Sequence, residues 1–187
     1  MRTAKAFTLI ELLVVVMIIA ILAAIALPSF INAQTRSKVS RTKSDLRTTS
    51  VGAEMYAVDN NQYPASFNLK QFSTPIAYLT VGETPDVFGN RQGEALGYVQ
   101  GKDAARAQFL EDFDVHVYND AERAVIASHG YFLWGNGPDR LNTALERRQE
   151  TFNDIVGAPG ATRGYFYDPT NGVTSRGDIM RSTKYRD

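Results

Sequence analysis

The side chains that could do chemistry in this sequence are few. The chain holds two histidines, His116 and His129, and no cysteine. His116 falls on the polar face of an alternating apolar segment and His129 precedes a glycine, so nothing in their spacing suggests a shared metal. No H-E-x-x-H pair, no G-x-S-x-G elbow and no glycine-rich loop opening a helix occurs. Acids number 20 against 20 basic residues, and none pairs off as an obvious general acid and base. One acid stands apart. Glu11 heads the stretch Leu12–Leu27, sixteen residues without a charge. A carboxylate at membrane depth is costly and marks a functional site by default, one that needs a partner. A cut before Phe7 would create an α-amine one helical turn away, which could be that partner. The competing explanation is a protonated acid tolerated near the interface.

The elements that would position these groups follow from periodicity. Counted from Phe7, the apolar run has 21 residues, enough to cross about 30 Å of hydrocarbon as a helix. Ala24-Ile25-Ala26 has the small-x-small form of a signal-peptide cut, but Glu11 interrupts the apolar region and Pro28 follows closely. Downstream, Val39, Leu46 and Ala53 recur every seven residues and interleave with Thr42, Thr49 and Tyr56, a thin seam at coiled-coil spacing. The reading is one helix over 7–58, a rod of roughly 78 Å, bent or locally opened at Pro28. Asp59-Asn60-Asn61 followed by Tyr63-Pro64 stops it.

The short basic leader, a small residue, then FTLIELLVVVMIIAILAAIALP closely resembles the start of type IV pilins and type II secretion pseudopilins. The resemblance implies cleavage by a prepilin peptidase between Ala6 and Phe7, methylation of the new amine on Phe7, and an assembly role for Glu11. It also identifies Pro28 with the family's helix-bending proline. Ala6 stands where the family usually has glycine. The family fold is α+β: a leader at 1–6, a long helix at 7–58 whose first part (7–28) is the transmembrane segment or fibre core, and a head at 59–187 with a small antiparallel sheet. The segment AEMYAVDNNQYP resembles the helix–head junction of major pseudopilins. Because such heads often hold calcium in a C-terminal loop, the resemblance singles out Asp139, Asp168 and Asp178, which lie in turn-rich segments. Aspartate is also simply a common turn residue.

The head itself reads as mixed. Thr74-Pro75 opens a short helix to Leu79, with Leu69, Phe72, Ile76 and Leu79 covering the long helix. Gly82 to Gly101 reads as a loop. Strands are expected at Phe113–Val117, Ala124–Ser128 and Gly130–Trp134, a helix at 143–153, and a hairpin joining Tyr165–Tyr167 to Gly177–Arg181 across Asp168-Pro169-Thr170-Asn171-Gly172. Asn136-Gly137-Pro138-Asp139 is a turn. The head core should draw on Tyr56, Phe72, Tyr78, Leu79, Phe113, Val115, Val117, Phe132, Trp134, Phe152 and Phe166.

The functional expectation is structural, not enzymatic: a homopolymer subunit stored in the inner membrane, single-pass, with its head outside the cytoplasm. A plain count of Arg36, Lys38, Arg41, Lys43 and Arg47 against Arg2 and Lys5 favours the reverse orientation. Arg2 and Lys5 lie nearer the apolar edge and agree with the resemblance. The implied partners are the prepilin peptidase, an inner-membrane platform protein, an assembly ATPase and minor pilins. The balanced charge gives no sign of nucleic-acid binding. The absence of cysteine and the DNNQYP junction favour a type II secretion pseudopilus. The alternatives are a type IV pilus subunit serving adhesion, motility or DNA uptake, and a membrane-tethered binding protein that forms no polymer. Processing gives the first test: intact-mass measurement of membrane-purified protein should show a chain starting at Phe7 with one added methyl. A start at Leu27 would establish a signal peptide, and a retained Met1 a plain anchor.

Overall fold

The computed structural model describes residues 7–90, 94–104, 120–141, 166–170, 175 and 177–184. The chain divides into two compact units, one ending at Ser37 and one from Lys38 onward. Helix α1, Leu9–Asn60, belongs to both and runs through Pro28 without a break, so the local opening expected there is not seen. It starts and stops within two residues of expectation. In the first unit, every side chain from Phe7 to Gln34 is exposed. This is the one stretch among the described residues long and apolar enough to cross a membrane.

In the second unit the heptad seam is the buried face of α1. Val39, Thr42, Leu46, Thr49 and Ala53 are all buried, with Tyr56 half-buried below them. Burying threonine needs an acceptor for its hydroxyl. Thr42 Oγ1 donates to Lys38 O at 3.2 Å and Thr49 Oγ1 to Asp45 O at 2.9 Å, one turn back on the same helix. The hydroxyls are thereby satisfied internally and the seam presents methyl groups to the head. α1 ends as its sequence indicates: Asn61 takes the left-handed conformation, φ 52°, just past the last turn.

A three-stranded antiparallel sheet packs in the same unit, in the order β1 (Gly97–Gln100), β2 (Tyr131–Gly135), β3 (Ile179–Ser182). Central β2 is buried at all five positions. Its register sets Gly97 opposite Trp134 on one side and Trp134 opposite Met180 on the other. Gly97 is needed there: a Cβ would lie 2.0 Å from the Trp134 ring. The core joins seam to sheet through Leu46, Phe72, Leu79, Tyr98, Leu133 and Ile179. Glu54 of α1 pins two of its aromatic rings, accepting Tyr63 OH at 3.0 Å and Tyr131 OH at 3.3 Å. Burial, reinforced by Glu54, pushes both phenols up to about 12.

Several expectations for the head are corrected. The helical turn falls at Leu69–Phe72, as a 3₁₀ turn, and not at 74–79. Thr74 does not cap forward; its N–H and hydroxyl both bond back to Lys70 O. Ile76 is 56% exposed and covers nothing. Residues 124–127 lie in a helix, α3 (Asp120–Ala127), with Ser128 in the turn after it; the one-turn α2 (Gly101–Ala104) comes earlier. The expected loop over 82–101 contains β1 and a bridge between Pro85 and Ala95. Among the described residues no hairpin joins 166–167 to 177–181: Phe166 meets Asp178 in a parallel bridge, and β3 pairs with β2, whose wholly buried row needs a partner on each edge. Of the expected core, Phe72, Leu79, Phe132 and Trp134 are buried, and Tyr56, Tyr78 and Phe166 half-buried. Phe113–Val117 and 143–153 lie outside the described residues.

Gly101 gives the sharpest stability test. A Cβ there would meet His129 O at 1.5 Å, a backbone atom that cannot rotate away. Gly101→Ala should lower head stability by about 1–3 kcal/mol or more, as overpacking does. Thermal unfolding followed by circular dichroism measures it, and an unchanged midpoint would contradict the packing described.

Candidate functional site

At the start of α1 the chain forms a reciprocal cap. Thr8 N–H donates to Glu11 Oε2 at 2.9 Å and the Thr8 hydroxyl to the same oxygen at 2.7 Å. Glu11 N–H returns a bond to Thr8 Oγ1 at 3.3 Å. This is a capping box, with threonine as N-cap and glutamate three residues on. The spacing Thr8-x-x-Glu11 is legible in the sequence, although the cost of burying the acid draws attention away from it. The cap gives Glu11 a partner within its own chain, and Oε1 is left without one among the described residues. Above it, Leu9, Ile10, Ile25 and Leu27 are 59–87% exposed, part of an apolar surface that calls for burial in lipid or against other helices. Phe7 is 71% exposed; Ala6 lies outside the described residues.

The three aspartates proposed as calcium ligands do not form one group. Asp139 Oδ1 accepts Leu141 N–H at 3.2 Å, and its Oδ2 accepts Gly177 N–H at 3.0 Å. Asp168 Oδ1 accepts both the hydroxyl and the N–H of Thr170, which hold its carboxyl below the usual range. Asp178 is buried beside the Phe166 bridge. Among the described residues no three histidine or acidic side chains gather closely enough to hold a metal. His116 lies outside those residues.

The head does contain a carboxylate clamp that sequence reading missed. Asp86 Oδ1 accepts Phe88 N–H at 2.9 Å, an Asx turn that D-x-x-G could have signalled. Its Oδ2 reaches across to Asn136 N–H at 2.7 Å, just past β2. Glu94 Oε2 accepts Asn90 N–H at 2.8 Å and Oε1 accepts Asn136 Nδ2 at 3.4 Å. The loop before β1 is thus tied to the exit of β2. Burial, with a smaller push from Glu94, holds the Asp86 carboxyl above its ordinary value.

Known proteins place this architecture. The prokaryotic N-terminal methylation motif matches residues 1–27. The type IV wide pilus major component PilA4 of Thermus thermophilus is 46% identical over 105 residues, 53% of this chain and 80% of that protein. The chain belongs to the type IV pilin and pseudopilin family. Among other members, the type IV major pilin protein PilA of Myxococcus xanthus is 36% identical over 101 residues, 54% of this chain and 42% of its own length. The type II secretion system core protein G of Pseudomonas aeruginosa is 38% identical over 65 residues, 35% of this chain and 46% of its own length. No solved structure matches the chain. The pilin motif coincides with the exposed apolar half of α1, and family membership implies polymerisation into a fibre.

The clamp is testable in the head. Asp86→Ala strips the acceptor from the N–H of Asn136, a residue 1% exposed. The cost should be about 1–3 kcal/mol, read from urea unfolding. Because Asp86 titrates higher in the folded state, part of the wild-type stability is present below its ordinary value of 3.8 and is lost as pH rises past it. The variant should lack that slope, and matching pH profiles would contradict the assignment.

Proposed function

We propose that the chain is the structural subunit of a helical fibre of the type IV pilus kind. It is made as a precursor, cut between Ala6 and Phe7, methylated on Phe7 and held in the inner membrane by residues 7–28 with its head outside the cytoplasm. From there the platform protein and assembly ATPase draw it into a homopolymer alongside minor pilins. Its role is mechanical and no catalysis is assigned to the head. The observation that carries the reading is the extent of the likeness to the wide-pilus component. It takes in 53% of this chain, whereas α1 ends at residue 60, so it involves the head as well as the motif. Extraction leaves the apolar half of α1 to be reburied. A bundle of neighbouring helices can do so at about 25 cal/mol per Å² of apolar surface kept from water.

The secretion pseudopilus is the second reading, favoured by the absence of cysteine and by the likeness to core protein G. Deleting the gene separates the two. Loss of sheared surface fibres with secretion intact supports the pilus; a secretion block without loss of such fibres supports the pseudopilus. A tether that forms no polymer would give only monomers on cross-linking in membranes.

Glu11 carries the assembly test, now with a control that the cap makes available. In a fibre, Glu11 of a docked subunit can pair with the methylated amine of the next, fixing axial register, since a helix slid by one turn meets only aliphatic side chains. Glu11→Leu removes both that pairing and the cap; Thr8→Ala removes the cap alone. Glu11→Leu should be processed and accumulate in the membrane without forming fibres, while Thr8→Ala should still assemble. Shear-fraction blotting and electron microscopy read the result. Wild-type fibre levels in Glu11→Leu would refute the pairing, and fibre loss in both variants would reduce Glu11 to a capping residue.

A further inference from the structure

A cleft of about 420 Å³ opens in the head where the end of α1, the β1–α2 junction and the end of α3 meet. Small-molecule sites fall at roughly 300–1,000 Å³ and are mostly apolar. This one has apolar walls from Ala57, Tyr63 and Ala127, with polar groups from Asn61, Gln62, Gln100, Lys102, Ser128 and His129 between them. Gln100 and Ser128 are already engaged: Gln100 Nε2 donates to Tyr63 O, and Ser128 bonds Val125 O and Lys184 Nζ. The side chains of Asn61, Gln62 and Lys102 have no hydrogen-bond or ionic partner among the described residues.

His129 supplies the independent observation. The residue is 6% exposed, its ring stacks on Phe132 with centroids 4.8 Å apart, and Nδ1 meets Ser182 Oγ at 2.8 Å. Nε2 has no hydrogen-bond partner among the described residues. A buried ring nitrogen left unpaired is a cost that native proteins rarely carry without a reason. Burial, with a smaller contribution from Lys184, pushes its pKa down, so the ring is neutral at neutral pH. A neutral imidazole offers Nε2 as donor or acceptor according to tautomer, and a hydroxyl group satisfies either. The free amides of Asn61 and Gln62 each present a donor and an acceptor side by side, the complement of adjacent hydroxyls. Lys102 adds one uncommitted cation.

We propose that this cleft binds a small hydroxylated carboxylate, a sugar unit of the uronic-acid type. Lys102 takes the carboxylate, Asn61 and Gln62 take neighbouring hydroxyls, and His129 Nε2 takes another. The site lies wholly within the head and does not depend on whether the chain assembles into a pilus or a pseudopilus.

The test uses the full chain in detergent micelles, titrated with glucuronate, glucose and acetate by calorimetry and saturation-transfer NMR. Glucuronate should bind saturably, glucose more weakly, and acetate not at all. Lys102→Met should weaken glucuronate about tenfold or more while leaving glucose unchanged, the loss expected for a charge-assisted hydrogen bond. Gln62→Leu should weaken both sugars. Lys102 and Gln62 are exposed, so both variants should keep the wild-type melting curve. Absence of saturable glucuronate binding to the wild type would overturn the proposal. So would glucuronate binding untouched by both substitutions, or acetate competing as well as glucuronate.

Discussion

One helix in this protein has to satisfy two different solvents, and the rest of the structure follows from that. The first half of α1 carries apolar side chains around its whole circumference, and all of them are exposed. A helix that is apolar on every side belongs in lipid or among other helices. The second half is amphipathic, and its buried stripe is built from small and β-branched residues together with Leu46. Threonine alternating with valine, leucine and alanine keeps that stripe narrow. The second half is also too polar to be drawn into lipid, because Arg36, Lys38, Arg41, Lys43 and Arg47 crowd the stretch around the stripe. The change of composition after residue 31, rather than any break in the helix, separates the part that is reburied on assembly from the part that carries the head.

The buried threonines show how a polar residue serves such a helix. Each hydroxyl bonds to the carbonyl one turn earlier, so the side chain turns its methyl outward and needs nothing from the sheet. Ser50 does the same through Arg47 O and in addition accepts Arg181 Nε at 3.0 Å, linking the seam to β3. Glu54 continues the line by taking Tyr63 and Tyr131. The contacts from α1 to the sheet therefore change from methyl packing to specific hydrogen bonds towards the end of the helix. That end is where the cleft opens, so its walls are held by the best-specified part of the head.

What was legible in the sequence was what repeats or what has a local cause. An apolar run of 21 residues interrupted only by Thr8 and Glu11, a seven-residue seam and an Asn-Asn stop each carry their own physical signature, and α1 matches all three to within two residues. The turn expected at Asn136-Gly137-Pro138-Asp139 was legible for the same reason, although it closes one residue later, with Arg140 N–H on Gly137 O. What failed was short and decided at a distance. Ala124–Ser128 contains Val125 and Ile126, which suit a strand, but Ala121, Arg123 and Ala124 favour a helix, and only Ile126 had to be buried. A turn signal between neighbouring segments suggests that β3 pairs with the segment just before it, whereas the unpaired edge of β2 makes the choice. The aspartates at 139 and 168 illustrate the same limit for sites: each is fully explained by the N–H groups of its own turn or of the turn opposite.

Glu11 stands out in the sequence for its burial cost, and in the structure it has a local role as well. The capping box holds the carboxylate at the first turn by bonds from Thr8, so the acid does not have to leave the helix end to find a donor. The cap is a third account of the acid beside the two that the sequence left open. The cap engages only one carboxylate oxygen, Oε2. The other oxygen stays open at the start of a long apolar surface. A cation arriving along that surface has one place where it can be paired. In the fibre proposed above, such a residue would secure its own helix and set the register of stacked identical helices, which aliphatic side chains alone would allow to slide.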